Sequence, residues 1–272
     1  SDLLITGDTG PMHISVAAGT PVIAFFLASA FGFETGPYGK GNLILQPVIE
    51  CGPCNPNKSC ARPDCHDHID PEAVAKLVEL RLKEDLQSLP EGLFDPAKVV
   101  VYRSFFDEYG FIDLKPINGR TNDSFEPYRK AYRRLWLDDL GGFIEPPSDA
   151  VHSESICSIS GLGDMFACAG EGGKLIEHLI EVIKDPRSTA KLLGELSDSI
   201  SELDRKIEHL GYNFPHLGPL ARMFIFAKEN ISGSEALDLA SQTGKLYFDL
   251  QRRCLRLGTY FGTLRNAYDC QD

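Results

Sequence analysis

Three short apolar runs open the chain: Leu3 to Thr6, Val22 to Phe26 and Asn42 to Gln46. Each is continuously apolar rather than alternating, as expected of strands buried on both faces of a parallel sheet. Gly7-Asp8-Thr9-Gly10 reads as a turn after the first run, and Pro11 suits the first helical position, where a missing N–H costs nothing. The helix predicted over Met12 to Ala18 ends at Gly19, a residue fitted to a left-handed cap, with Pro21 following. After a loop over 49–68, Asp70-Pro71-Glu72 starts a helix whose apolar positions are Ala73, Val74, Leu77, Leu80 and Leu82. Val99 to Tyr102 and Phe111 to Leu114 read as strands around an Asp107 to Gly110 turn. A helix over Pro127 to Leu140 follows, closed by Gly141-Gly142 and then a Glu145 to Ser148 linker.

Beyond about residue 150 the pattern is helical throughout. Leu193, Leu196, Ile200, Leu203, Ile207 and Leu210 recur at spacings of three and four, the seam of a long helix lying on another. Further helices are predicted near Leu217 to Asn230 and Ser234 to Ala267, together an antiparallel bundle. The expected fold is thus α/β followed by all-α: a partial Rossmann-like parallel sheet with a C-terminal helical bundle. The expected domains are 1–88, a mixed α/β connecting segment 89–147, and the bundle 148–272. The chain opens directly on a strand, and three strands make a small sheet, so upstream sequence is expected to be missing.

The 272 residues carry a formal net charge of -12, which argues against nucleic acid as a partner. Arg129, Lys130, Arg133 and Arg134 form one local basic group on a helix that also bears Tyr128, Tyr132 and Trp136. The aromatics are expected on its core side. No run approaches the ~18 apolar residues of a transmembrane helix. Of the eight cysteines, four are scattered (Cys157, Cys168, Cys254 and Cys270), in keeping with reduced thiols and a cytoplasmic protein, with peripheral attachment at the inner membrane as a variant. Gly161-Leu162-Gly163 and Gly170 to Gly173 follow no strand and are expected to be loops.

The chemistry concentrates at Asp8-Thr9-Gly10-Pro11-Met12-His13, between a strand and a helix. Helix starts hold anions through unpaired N–H groups and the helix dipole. Gly10 would let a phosphate approach the backbone, Thr9 could donate to it, Asp8 could accept from sugar hydroxyls, and His13 lies one turn further on. A capped strand–turn–helix is equally ordinary punctuation in α/β proteins, and a lone His in a helix more often packs or faces water.

The string resembles the signature of glycosyltransferase family 9, the ADP-heptose:lipopolysaccharide heptosyltransferases. Asp8 to His13 is followed by Ala17-Ala18-Gly19-Thr20-Pro21-Val22, then by a Gly36-Pro37-Tyr38-Gly39 loop, Cys51-Gly52-Pro53-Cys54 with Cys60 and Cys65, and Asp70-Pro71-Glu72. The resemblance covers about residues 2 to 85. It implies the C-terminal, donor-binding part of a GT-B enzyme that transfers heptose or a related sugar, with inversion, from a nucleotide diphosphate sugar to a lipopolysaccharide-like or other glycan or lipid-linked acceptor. It places Asp8, Thr9, Gly10, Pro11, Met12, His13, Gly36, Tyr38 and Gly39 at the donor. The catalytic base is expected in an N-terminal domain that this sequence lacks, so no catalytic residue is assigned and the fragment alone is expected to be inactive. Phe26-Leu27-Ala28-Ser29-Ala30 departs from the family's Gly-Pro-Thr-type turn, a loop that the resemblance implies should approach the donor.

Catalysis by this family requires no cofactor. Cys51, Cys54, Cys60 and Cys65 could hold structural zinc or an iron–sulfur cluster; disulfides and free thiols are the alternatives. The alternative function is a non-catalytic binding or assembly module on a diverged glycosyltransferase core, with a GT-B epimerase ranked below it.

Overall fold

The computed structural model describes residues 1–27, 30–52, 54, 57–60, 62–119, 125–142 and 159–269, the last six without their side chains. Two compact units divide the chain, Ser1–Asn122 and Asp123–Asp272. The strands of the 89–147 segment belong to the first unit and its helix to the second. The Glu145 to Ser148 linker, Cys157 and Cys270 lie outside the described residues.

The first unit is built from β1 (Leu4–Gly7), α1 (Gly10–Ala17), β2 (Val22–Phe25), α2 (Gly32–Thr35), β3 (Leu43–Pro47), α3 (Asp64–Asp67), α4 (Pro71–Lys83), β4 (Val99–Phe106) and β5 (Ile112–Pro116). The strands form one sheet in the order β1-β2-β3-β4-β5. β1, β2 and β3 are parallel, with Ile5 opposite Ile23 and Ile23 opposite Leu43. The expected parallel sheet is therefore the first part of a mixed one, because β4 pairs antiparallel with β3 and β5 with β4. α3 and α4 bring the chain back to the end of β3 at which it left, setting Val99 opposite Pro47. β4 then turns into β5 through Asp107, whose Oδ1 accepts from the Tyr109 and Phe111 N–H groups at 3.0 and 2.9 Å.

Both faces of the sheet are covered at β2, β3 and β4, whereas β1, at the edge, leaves Ile5 48% exposed. Ile23, Leu43, Leu45, Val99 and Val101 pack with Ala73 and Leu77 of α4. On the opposite face Val22, Ala24, Ile44, Val100, Tyr102 and Leu114 pack with Met12 of α1. α1 ends in a Schellman arrangement: Gly19 (φ +78°) donates to Val16 O and Thr20 to Ser15 O. α4 starts as predicted, with Asp70 Oδ1 accepting from the Glu72 N–H at 3.0 Å.

The second unit is helical: α5 (Glu126–Asp139), α6 (Leu162–Lys184), α7 (Ala190–Asn213), a 3₁₀ turn (Pro215–Leu217), α8 (Gly218–Glu229) and α9 (Ala236–Asp269). Leu196, Ile200, Leu203 and Ile207 of the predicted seam are buried in α7. Tyr132 is buried and Tyr128 and Trp136 pack against the same core, so the aromatics of α5 do face inward. Arg129 and Lys130 pair with Glu126 of the same helix.

The glycines expected to make loops at 161–173 instead start and line α6. Gly161 is the left-handed residue before the helix (φ +77°), and a Cβ on Gly172 would lie 2.2 Å from the Tyr247 ring. Gly172 is there because α6 and α9 approach closely, a requirement that the local sequence does not record.

Ionic contacts tie α5 to α9. Asp138 accepts from Arg256 and from the Tyr260 hydroxyl, and Asp139 from Arg252 at 2.6 Å and Arg253 at 2.7 Å.

Candidate functional site

α1 is positioned by the first crossover: β1 ends at Gly7, three residues before the helix begins, at the carboxyl ends of the parallel strands. Open α/β sheets bind ligands at that end. Asp8, Thr9, Gly10, Pro11 and His13 are all exposed there. A Cβ on Gly10 would meet no atom within 4 Å, so the space above the helix start is open.

The helix start offers fewer donors than the sequence suggests. Pro11 has no N–H, and the Met12 N–H already donates to Thr9 O at 3.0 Å. Of the first three helical residues, Gly10 is the exposed one with an N–H not donated to Thr9. Thr9 makes no side-chain cap, and its hydroxyl instead lies 3.2 Å from that of Thr6. Both hydroxyls therefore sit beside the turn, where they could reorient toward an anion. Met12 is 0% exposed and its side chain belongs to the core, so only its backbone borders the site.

The second candidate segment is divided. Gly36 directly follows α2, and its neighbour Thr35 donates through Oγ1 to Asp8 Oδ2 at 2.8 Å, which brings the end of α2 to the turn. Tyr38 and Gly39 lie elsewhere. Tyr38 sets its ring edge-on to Phe106 at 5.8 Å. Gly39 meets Val16, where an added Cβ would lie 2.5 Å from Cγ1. Val16 is six residues beyond Gly10, about 9 Å along the helix axis, so Gly39 stands by the far end of α1.

A buried polar network fixes that loop. Asn42, 3% exposed, accepts from the Val22 N–H at 2.9 Å and donates to Gly39 O at 2.8 Å. Ser104 Oγ also donates to Gly39 O, at 2.5 Å, and accepts from the Asn42 N–H at 2.9 Å. The buried guanidinium of Arg103 pairs with Asp85. Neither the Thr35 contact nor this network leaves a local pattern in the sequence, because the partners are 27 and 62 residues apart.

The four clustered cysteines are free thiols: Cys51 and Cys60 exposed, Cys54 half-buried and Cys65 buried. Burial pushes the Cys65 thiol up, and the neighbouring Cys54 and Cys60 add to the shift. Among the described residues no three His, Cys, Asp or Glu side chains are grouped to hold a metal. Ala28 and Ser29 of the departing turn lie outside the described residues.

A parallel strand, an exposed polar turn and a helix start open to solvent meet at the carboxyl end of β1. Residues 1–63 match Glycosyltransferase family 9 (heptosyltransferase), and the match includes the whole turn. At family level the match, which covers 63 of the 272 residues, supports a glycosyltransferase. No curated protein and no solved structure matches the chain. Among the described residues no helix is long and apolar enough to cross a membrane.

Proposed function

We propose that the first unit binds the nucleotide diphosphate sugar of an inverting glycosyltransferase, an ADP-heptose-like donor whose sugar passes to a lipopolysaccharide-like or other glycan acceptor. The observation that carries this reading is the exposed Asp8-Thr9-Gly10 turn at the carboxyl end of β1, inside the family match and open above Gly10. In this reading the Gly10 N–H and the positive end of α1 face the diphosphate. Thr9 donates to a phosphate oxygen, Asp8 accepts from a sugar hydroxyl, and His13 borders the same space. Stabilising charge on the departing diphosphate is the contribution such a turn makes to transfer.

The test is calorimetric titration with ADP- and UDP-sugars, on the wild type and on Asp8→Ala. A hydrogen bond to a charged group contributes about 1.5–3 kcal/mol, so the variant should bind at least about tenfold more weakly. Asp8 is exposed, so its folding should be unchanged. Donor binding equal in both proteins removes Asp8 from the site.

A second reading, a non-catalytic assembly module, is favoured by the extent of the match, which stops at residue 63 and leaves the whole helical unit unmatched. Failure of every donor to bind would favour it.

A further inference from the structure

We infer that Thr35 is a positioning residue of the candidate site: its hydroxyl holds the Asp8 carboxylate in one rotamer and leaves Oδ1 as the oxygen presented to a ligand hydroxyl. The inference rests on the donor-site reading for its functional consequence, but the positioning itself is a property of the free protein.

The geometry starts in β3. Gln46 Oε1 accepts from the Gly32 N–H at 2.9 Å, which pins the first residue of α2 to the sheet. Gly32 lies so close to β3 that an added Cβ would sit 2.9 Å from Ile44 Cγ2. The Phe31 N–H donates to Glu34 Oε2 at 3.0 Å, closing the first turn, and Phe33 lays its ring edge-on to Tyr102 at 5.2 Å. At the other end the Gly36 N–H donates to Gly32 O at 3.0 Å, and a Cβ on Gly36 would lie 2.2 Å from that same oxygen. A helix of one turn is ordinarily a poor platform, but this one is fastened at both ends. Thr35 therefore projects from a fixed point.

Its hydroxyl donates to Asp8 Oδ2 at 2.8 Å across 27 residues of sequence. Asp8 sits on a turn and is exposed, so without that bond its side chain would sample several rotamers. With Oδ2 engaged, Oδ1 is the acceptor in a defined direction. Binding sites gain from groups held in place before the ligand arrives, because the ordering cost is not charged to binding. The contact also ties the carboxyl end of β1 to β3 through α2, a path that contributes little to burial since both side chains are exposed.

The experiment has two readouts on the full chain as wild type, Thr35→Val and Thr35→Ser. Val keeps the shape of Thr and removes the hydroxyl; Ser keeps the hydroxyl. The first readout is the β-proton coupling pattern of Asp8 by NMR on aspartate-labelled protein. Wild type and Thr35→Ser should show one dominant rotamer and Thr35→Val averaged couplings. An averaged Asp8 in the wild type, or an unchanged one in Thr35→Val, overturns the inference. The second readout is titration with ADP-sugar. Thr35→Val should weaken binding roughly three- to tenfold, the range of one hydrogen bond, with Thr35→Ser close to wild type and all three proteins unfolding at the same urea concentration. Binding by Thr35→Val within twofold of wild type also overturns it. If the wild type binds no donor, the donor-site reading fails, while the couplings still decide whether Thr35 positions Asp8.

Discussion

Gly39→Ala separates two roles for a glycine that the family resemblance places at the donor and the structure places against the far end of α1. The new Cβ would lie 2.5 Å from Val16 Cγ1 and 3.2 Å from Asn42 Nδ2. Val16 is β-branched and helical, so it has essentially one rotamer and cannot swing aside. The loop cannot retreat either, because Gly39 O accepts from Asn42 at 2.8 Å and from Ser104 at 2.5 Å, and both bonds are internal to the network. Overpacking of this kind costs about 1–3 kcal/mol, so the fold of the first unit should weaken by that amount. The single Trp, Trp136, is in the second unit, so unfolding of the first is followed by far-UV circular dichroism or by hydrogen exchange of β2 and β3 amides. Val16→Ala should relieve the clash: in a double-mutant cycle the two substitutions should couple favourably by about 1–2 kcal/mol. Donor affinity, measured where both proteins are folded, should stay within twofold. Strict additivity with Val16→Ala would refute the packing argument. Unchanged stability with lost donor binding would return Gly39 to the ligand.

In the second unit, the Asp139 side chain is 1% exposed and holds two guanidinium groups, with Asp249 offering Arg252 an alternative at 3.2 Å. Asp139→Ala should therefore cost about 3 kcal/mol, the lower end of the range for breaking a buried pair, read as a fall in the urea midpoint by Trp136 fluorescence; a loss under about 0.5 kcal/mol would show the contact to be dispensable. Alkaline pH should weaken the same unit. Burial raises the Cys254 thiol above its ordinary 9.0, and burial leads the upward shifts of Tyr132, Tyr247 and Tyr260 from 10.0. Between the ordinary and the raised values the unfolded chain has released these protons and the folded one keeps them. The contribution of these four groups should thus be level below about pH 8, begin to fall near 9, and drop by about 1.4 kcal/mol per pH unit for each group so titrated. A urea midpoint that does not move from pH 8 to 11 would contradict that.

Much of this protein is written locally. The runs at Leu4–Gly7 and Val22–Phe25, the Gly19 cap, the Asp70-Pro71 start and the seam through Leu196, Ile200, Leu203 and Ile207 all depend on residues within a turn or two of one another, so periodicity and capping rules reach them. The Asp8 to His13 turn was legible for the same reason, as a short string between two such elements. Other features were decided only by folding. The antiparallel addition of β4 depends on where α4 delivers the chain. Met12, equally part of the legible string, faces the core because the sheet covers that side of α1. Gly39 and Gly172 are small because a helix passes close by, not because a turn needs them. Thr35 reaches Asp8, and Ser104 reaches Asn42, through contacts whose partners lie far apart in sequence and whose geometry belongs to the assembled sheet. The sequence by itself determined the strands, caps and helical seam named above, since those depend on local backbone and side-chain preferences. The tertiary structure alone decided which side chains of that turn are held and aimed, since burial and long-range hydrogen bonds exist only once the elements have packed.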